Sequence, residues 1–298
     1  MLAATPSTAA PDTIVLIHGL WMTPRSWEHW VRRYTERGFR VLAPSWPGLE
    51  GEVEALRRDP SPLARMSAQG IIEHYERIIR GLDRPPIIMG HSFGGAFVQL
   101  LVDRGLGAAG VGIDSASVRG VLGLPFSTLR SAWSILRNPA NASRAVPFSA
   151  SQFRYAFGNA STEAESARAY ERYAVPGAGR VLWQGAMANL NPRTPFRVDF
   201  ARSDRAPLLF VGGGSDHVVP AWINRWNVRL YGKSTAVTGY KEFPGRSHFT
   251  VGQPGWEAVA DYALDWALGE HSRARAGGVA APAGALPAAR RPNAAAHW

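Results

Sequence analysis

A single serine set among glycines, directly after a short apolar run, is the feature that most constrains this chain. Residues 90–95 read Gly-His-Ser-Phe-Gly-Gly and follow the run Ile-Ile-Met at 87–89, which is typical of a buried strand. The mostly apolar residues 93–102 predict a helix immediately after the serine. A strand, a tight turn and a helix in this order expose the hydroxyl of Ser92 at the helix N-terminus, where free N–H groups favour developing negative charge. The alternative is a tight structural turn without chemistry.

Apolar runs alternate with helical patterns along the rest of the chain. Strands are predicted at 13–17, 39–42, 87–89, 111–113, 208–211 and within 235–243. Helices are predicted at 26–37, 66–82, 93–102, 221–230 and 256–268. This alternation predicts the α/β fold class, with a mostly parallel sheet of about six strands and helices on both faces.

The alternation breaks in the middle of the chain, and this break predicts the domain organisation. Residues 118–203 are rich in Ser, Arg, Asn and aromatic residues, and we interpret them as an inserted helical cap over one edge of the sheet. Residues 13–117 and 204–268 then form the core. Residues 1–12 and 271–298 are predicted to be disordered tails, because they are small, Pro-bearing and without periodicity.

The net charge of +10 bears on the partners of the protein. Arginine supplies nearly all of the positive charge, since Lys233 and Lys241 are the only lysines. The arginines are scattered, and no basic run is interleaved with aromatic residues, so we expect no nucleic-acid partner.

Several features that the sequence lacks bear on the location of the protein and on its cofactors. No run approaches the length of a membrane span, so we expect no stable membrane insertion. Residues 1–13 lack the basic and apolar regions of a signal peptide, and we predict a cytoplasmic protein. The chain has no cysteine, and no group of residues has metal-ligand spacing, so neither a metal nor another cofactor is expected.

A serine nucleophile needs a base, and position selects one of the eight histidines. His248 follows the last predicted strand and precedes the last predicted helix. That position lies at the carboxyl edge of the sheet, where Ser92 is also expected. We therefore predict His248 as the general base.

The base needs a carboxylate to orient it, and the sequence offers two. Asp216 follows the fifth predicted strand after three glycines, which let the chain turn at once. Asp114 ends the fourth strand at the same edge of the sheet. We favour Asp216, which with Ser92 and His248 gives the order Ser, Asp, His expected for nucleophile, acid and base. Asp114 remains the alternative acid.

Two backbone N–H groups are predicted to stabilise the oxyanion of an acyl-transfer reaction. One belongs to Phe93, directly after the serine, and the other to Leu20, in the glycine-bearing loop after the first strand. We expect Trp21 in the same loop to line a substrate pocket, together with Trp133 and Trp183 of the 118–203 segment.

Four segments carry a resemblance to a known family: Leu-Ile-His-Gly at 16–19, Gly-His-Ser-Phe-Gly-Gly at 90–95, Ser-Asp-His-Val-Val-Pro at 215–220 and Gly-Arg-Ser-His-Phe at 245–249. In this order they resemble the signature loops of the α/β-hydrolase family. The resemblance implies an α/β-hydrolase fold over residues 13–268, a triad of Ser92, Asp216 and His248, and a cap after the fourth strand. Family members with an aspartate nucleophile are disfavoured, because a serine occupies that position.

The functional hypothesis is a carboxylesterase-like serine hydrolase that cleaves an ester of a hydrophobic small molecule through an acyl-enzyme. Hydrolysis of a lactone, an amide or a C–C bond, and acyl transfer, are alternatives on the same triad. A second alternative is a non-catalytic ligand-binding protein on the same scaffold. The oligomeric state is left open.

Overall fold

The computed structural model describes residues 10–275 of the 298-residue chain. Its strands are β1 (Thr13–Ile17), β2 (Arg40–Leu42), β3 (Ile87–His91), β4 (Ala109–Ile113), β5 (Ala145–Val146), β6 (Gly177–Ala178), β7 (Leu208–Gly213) and β8 (Thr238–Phe243). Six of them form one sheet in the order β2-β1-β3-β4-β7-β8, and every neighbouring pair is parallel. The predicted six-stranded parallel sheet is therefore confirmed.

The helices alternate with the strands of this sheet. They are α1 (Glu28–Glu36), α2 (Val53–Arg58), α3 (Ser61–Ala64), α4 (Ala68–Arg80), α5 (Phe93–Asp103), α6 (Phe126–Leu136), α7 (Ala150–Ala156), α8 (Glu163–Tyr173), α9 (Gly179–Ala186), α10 (Ala221–Leu230) and α11 (Trp256–Arg275). Short 3₁₀ turns occur at Pro24–Trp27, Pro139–Ser143 and Tyr231–Lys233.

Helices cover both faces of the sheet. On one face α1 packs on α11, where the Tyr34 hydroxyl donates to the carbonyl of Ala260 at 2.8 Å. On the other face α5 lies between α4 and α10, and the Asn227 side-chain amide donates to Gln99 Oε1 at 3.0 Å. The strands β1, β3, β4 and β7 are wholly buried between these layers, as their continuous apolar runs predict.

The segment between β4 and β7 contains α6 to α9 and the antiparallel pair β5–β6. That pair has two residues in each strand, which is too short for any sequence pattern to reveal. The segment lies against the loops that follow the sheet strands: the Val175 N–H donates to the carbonyl of Trp21, and the Phe249 N–H donates to that of Phe157. Buried side chains of the segment and the sheet form one continuous hydrophobic cluster.

The last helix is longer than predicted. α11 continues to Arg275, whereas the sequence pattern places its end at Leu268 and the start of a disordered tail at 271. The Ser272 hydroxyl donates to the carbonyl of Leu268 within this extension, and Ala and Arg are good helix formers. The rest of the predicted C-terminal tail, and residues 1–9 of the N-terminal one, lie outside the described residues.

Candidate active site

Strained backbone conformations lie where adjacent strands of the sheet end. Among the described residues, the non-glycine residues with a left-handed φ are Trp21 at 64°, Ser92 at 57° and Asp114 at 45°. They follow β1, β3 and β4 respectively, which are adjacent strands. Such conformations cost about 1–3 kcal/mol each and persist only where the surrounding packing holds them.

Close packing around Ser92 explains why glycines surround it. A Cβ atom on Gly90 would lie 2.2 Å from the carbonyl oxygen of Gly94, and one on Gly94 would lie 2.1 Å from that of Ile17. A Cβ atom on Gly95 would approach Ser115 to 2.8 Å. The start of α5 therefore touches the ends of its neighbouring strands, and this contact forces the sharp turn at Ser92.

Three side chains from three loops form one chain of hydrogen bonds. The Nε2 atom of His248 lies 2.9 Å from Ser92 Oγ, and its Nδ1 atom lies 2.7 Å from Asp216 Oδ2. The other carboxylate oxygen of Asp216 accepts the N–H groups of Val218 at 2.6 Å and Val219 at 2.8 Å. The imidazole is thus fixed with one nitrogen directed at the serine hydroxyl.

Burial sets the charge of this histidine. His248 has no exposed surface, and burial lowers the pKa of its imidazole from 6.5 to about 3. Burial raises the pKa of Asp216, while the hydrogen bonds from Val219 and Val218 act in the opposite direction. The imidazole is consequently neutral at pH 7, which is the form that can accept a proton from the serine.

The second carboxyl group, that of Asp114, lies beside this chain without bonding to His248. Its Oδ1 atom accepts the Gly213 N–H at 2.6 Å, and its Oδ2 atom has no partner among the described residues. Burial, together with the charge of Asp216, raises the pKa of Asp114 well above its usual range. The geometry thus joins the histidine to Asp216 and not to Asp114.

The two N–H groups expected to hold an oxyanion flank the serine. Those of Leu20 and Phe93 donate to no acceptor within the described part of the chain. Gly19 brings the first loop against the nucleophile, since a Cβ atom there would lie 2.9 Å from the Cβ of Ser92. Both N–H groups therefore remain without a partner in the described part of the chain, beside the loop that contacts Ser92.

A cavity of about 270 Å³ opens onto Ser92, and its walls are mostly apolar. The first loop and α5 contribute Trp21 and Phe93. The remaining lining includes Val121, Leu122, Leu124, Ala132, Leu136, Leu182, Val218, Val219 and Ile223. Ser117, Thr128 and Asn189 are polar lining residues, and none of the lining residues is charged.

Of the three tryptophans predicted to line the pocket, the structure brings one to Ser92. Trp21 lines the cavity and stacks on Phe148 with ring centroids 4.1 Å apart. Trp133 is 55% exposed, and neither it nor Trp183 is among the lining residues. On α6 the cavity is lined instead by Ala132 and Leu136, while more than half of the Trp133 side chain is exposed to solvent.

A comparison with protein-family models identifies the fold family. Residues 14–262 match the model of the alpha/beta hydrolase family. The chain belongs to the alpha/beta hydrolase family. A search of curated proteins finds no match.

Solved structures of other alpha/beta hydrolases share the fold of this one. An extracellular alpha/beta hydrolase from a Paenibacillus species has a TM-score of 0.62 at 20% identity, over 86% of this chain and 98% of its own. The monoacylglycerol lipase of Paleococcus ferrophilus has 0.58 at 17% identity, over 88% and 96%. A pyrethroid hydrolase from Sphingobium faniae has 0.59 at 18% identity, over 86% and 97%.

One grouping in this alpha/beta hydrolase was not apparent from sequence spacing. His91, Asp114 and His248 each place a ligand-type atom within 4.8 Å of the other two, because they come from different loops at one sheet edge. Both ring nitrogens of His248 already bond to Asp216 and Ser92. The Nε2–H of His91 donates to the backbone carbonyl of His248 at 2.7 Å. His91 therefore holds the backbone of His248 and makes no hydrogen bond to its imidazole.

Sequence reasoning also missed most of the cavity wall. Leu122 and Leu124 lie in a loop without periodicity, and Val218 and Val219 follow Asp216 directly. Their only sequence signal is that they are apolar residues close to the segments that carry Ser92 and Asp216.

A search for membrane-spanning helices, made over the described residues, finds none with the length and apolar character that a span requires.

Proposed function

We propose that this alpha/beta hydrolase is a serine hydrolase that cleaves a carboxylic ester of a hydrophobic small molecule through an acyl-enzyme. The observation that carries the proposal is the hydrogen-bonded chain from Ser92 through His248 to Asp216, at the base of an apolar cavity. The names of two structural relatives, a monoacylglycerol lipase and a pyrethroid hydrolase, are consistent with a hydrolase of hydrophobic substrates.

In the proposed reaction His248 is the base and then the acid. Its neutral Nε2 atom takes the proton of Ser92 as the serine oxygen attacks the ester carbonyl. The N–H groups of Leu20 and Phe93 hold the resulting oxyanion. His248 then gives the proton to the leaving alcohol, and a water molecule, activated by the same imidazole, releases the acid. Asp216 orients the ring and stabilises its charged form.

The cavity supports a neutral, apolar substrate. Its lining offers no cation to pair with a substrate carboxylate, and Leu122, Leu136 and Leu182 present methyl groups to the bound molecule. A charged acyl group would lose its hydration on binding without gaining a partner. We propose that the segment 118–203 acts as the cap that provides most of this wall. The cytoplasmic location stays a prediction.

Turnover of a panel of esters tests the proposal. We expect hydrolysis of neutral p-nitrophenyl esters, little hydrolysis of a hemisuccinate ester, and loss of turnover in Ser92→Ala. Products are compared with and without an acceptor alcohol, and lactones and amides are included in the panel. If transfer to the alcohol exceeds hydrolysis, the protein is an acyltransferase. If a lactone or an amide is cleaved faster than the esters, that compound class is the substrate instead.

Ligand binding without any product would favour the non-catalytic alternative. A rise in melting temperature with an apolar ester, together with no turnover in folded protein, is the result that contradicts catalysis.

A further inference from the structure

The exposed large hydrophobic side chains of the described residues all lie on chain segments that also contribute residues to the cavity lining. We call this set the apolar rim. Its members are between 37% and 77% exposed, and they are Leu122, Leu124, Phe126, Trp133, Met187, Leu190, Trp222 and Trp226. Isolated exposed hydrophobic residues are ordinary on a protein surface, but a set concentrated in one place marks an interaction site.

Leu122 and Leu124 fix the position of the rim at the cavity. Both line the cavity, yet they are 57% and 65% exposed, so they lie at its mouth. The ring of Trp222 packs against the intervening Gly123, where a Cβ atom would lie 2.7 Å from it. Trp226 follows on the same helix, with its ring centroid 6.3 Å from that of Trp222.

A third loop joins the rim through Asn189. The side-chain oxygen of Asn189 accepts the Gly120 N–H at 2.7 Å, and its amide donates to the carbonyl of Val121 at 3.0 Å. These bonds hold the turn that carries Met187 and Leu190 beside the loop of Leu122. The rim therefore includes side chains of this turn as well as of the loop of Leu122 and of α10.

The exposed faces of two helices in the rim combine aromatic side chains with arginine. On α6, Phe126, Arg130 and Trp133 occur at helical spacing and are all exposed. On α10, Trp222, Trp226 and Arg229 repeat the same spacing, and they are exposed as well. A helix face of aromatic and basic residues is typical of segments that lie in the headgroup region of a membrane.

Acidic residues are absent from the chain segments that build the rim. Residues 115–162 contain five arginines and no Asp or Glu, and residues 172–198 contain four arginines and no Asp or Glu. Residues 217–241 contain two arginines, two lysines and again no acidic residue. Three of these arginines, Arg154, Arg172 and Arg225, are paired with Glu163, Glu28 and Glu242. Within the described part of the chain, no carboxylate lies within salt-bridge distance of Arg137 or of Arg130, which lies over the ring of Tyr155. The rim is thus apolar and positively charged.

We propose that the apolar rim docks on the surface of an anionic phospholipid bilayer, with the mouth of the cavity facing the lipid. Negatively charged headgroups complement the arginines, and the acyl region takes up the aromatic and leucine side chains. A second copy of this chain fits less well, because a symmetric interface would bring the same positive charges together. This inference goes beyond ester hydrolysis and does not require turnover.

Vesicle flotation with the full chain tests the proposal. The vesicles contain phosphatidylcholine alone or phosphatidylcholine with phosphatidylglycerol, at physiological salt. We expect binding to the anionic vesicles and much weaker binding to the neutral ones. In Arg130→Glu/Arg137→Glu, and separately in Phe126→Ser/Trp133→Ser, the partition coefficient is expected to fall by about tenfold or more.

The matched control is Arg40→Glu/Arg77→Glu, which changes the net charge by the same amount. Arg40 is the first residue of the edge strand β2 and Arg77 lies in the last turn of α4; both are exposed, and both lie outside the segments that build the rim. Melting temperatures show that each variant is folded. We expect the control to bind anionic vesicles almost as well as the wild type.

Two results would overturn the proposal. One is wild-type protein that does not float with anionic vesicles, or that floats equally well after both rim changes. The other is a concentration-dependent dimer that is lost in Phe126→Ser/Trp133→Ser while vesicle binding is absent, which would assign the rim to self-association. Since binding is measured without substrate, these results are independent of the test of ester hydrolysis.

Discussion

The base of the cavity and its mouth are built in opposite ways. At the base, Ser92, Asp216 and His248 are buried, bonded to one another and held by loops that pack through glycines. At the mouth, Leu122 and Leu124 are mostly exposed and belong to a loop without regular structure. The difference indicates that the edge of the sheet determines the type of reaction, whereas the loops determine which molecules reach it. A substitution at the base should therefore leave the mouth intact, and a substitution at the mouth should leave the base intact.

The two aspartates at the base are expected to give the largest contrast. Asp216→Asn should lower kcat/KM by about 10³- to 10⁴-fold, because an amide no longer stabilises the charged imidazole or fixes its tautomer. Asp114→Asn should lower it by less than about tenfold, because Asp114 does not bond to His248 and asparagine retains the oxygen that accepts the Gly213 N–H. Steady-state kinetics with one neutral ester compares the two variants.

A large loss in Asp114→Asn with a small one in Asp216→Asn would exchange the roles of the two acids. Equal losses, with melting temperatures unchanged, would mean that the histidine depends on both carboxyl groups.

The glycine packing at the base predicts a large effect on folding. Gly94→Ala places a Cβ atom against the carbonyl oxygen of Ile17 and should cost about 3 kcal/mol of unfolding free energy or prevent folding. Gly232→Ala is the matched control, since a Cβ atom there meets nothing within 4 Å, and its cost should be close to zero. Urea unfolding measures both. Similar midpoints for the two variants would show that the turn at Ser92 is looser than described.

The pH dependence of the reaction follows from the burial of His248. The neutral imidazole is the base, so kcat/KM should fall as the pH drops through the pKa of His248. Because burial lowers that pKa from 6.5 to about 3, the acid limb should have its midpoint below 6.5. A pH profile between 4 and 9 shows whether kcat/KM keeps its plateau below pH 6.5. A midpoint at or above 7 would mean that the coupling to Asp216 outweighs burial.

The mouth of the cavity is expected to give the smallest effects. Leu124→Ser should raise KM for a hydrophobic ester roughly three- to tenfold with little change in kcat, since it removes about 1 kcal/mol of apolar contact. Leu190→Ser is the control, because Leu190 is 76% exposed and does not line the cavity. Equal effects of the two substitutions would show that Leu124 has no specific role in substrate binding.

The contrast between base and mouth also explains which site residues could be predicted from the sequence. Ser92 and its glycines are required at fixed spacing by backbone atoms in contact, so a local motif predicts them. Asp216 follows the buried strand β7, which an apolar run predicts, whereas His248 follows the half-exposed edge strand β8, which the alternation of strands and helices predicts. Trp133 shows the limit: its residue type suits a pocket, but the rotation of α6 directs Ala132 inward instead, and only tertiary packing decides that rotation.

The most direct test of the central claim is intact-mass spectrometry after exposure to a fluorophosphonate, on the wild type and on Ser92→Ala. The expected result is a single adduct on the wild type, mapped to Ser92, and none on the variant. That result would mean that the hydroxyl is accessible from the cavity and activated by His248. Folded wild-type protein without an adduct, or an adduct that persists in Ser92→Ala, would contradict the proposed nucleophile.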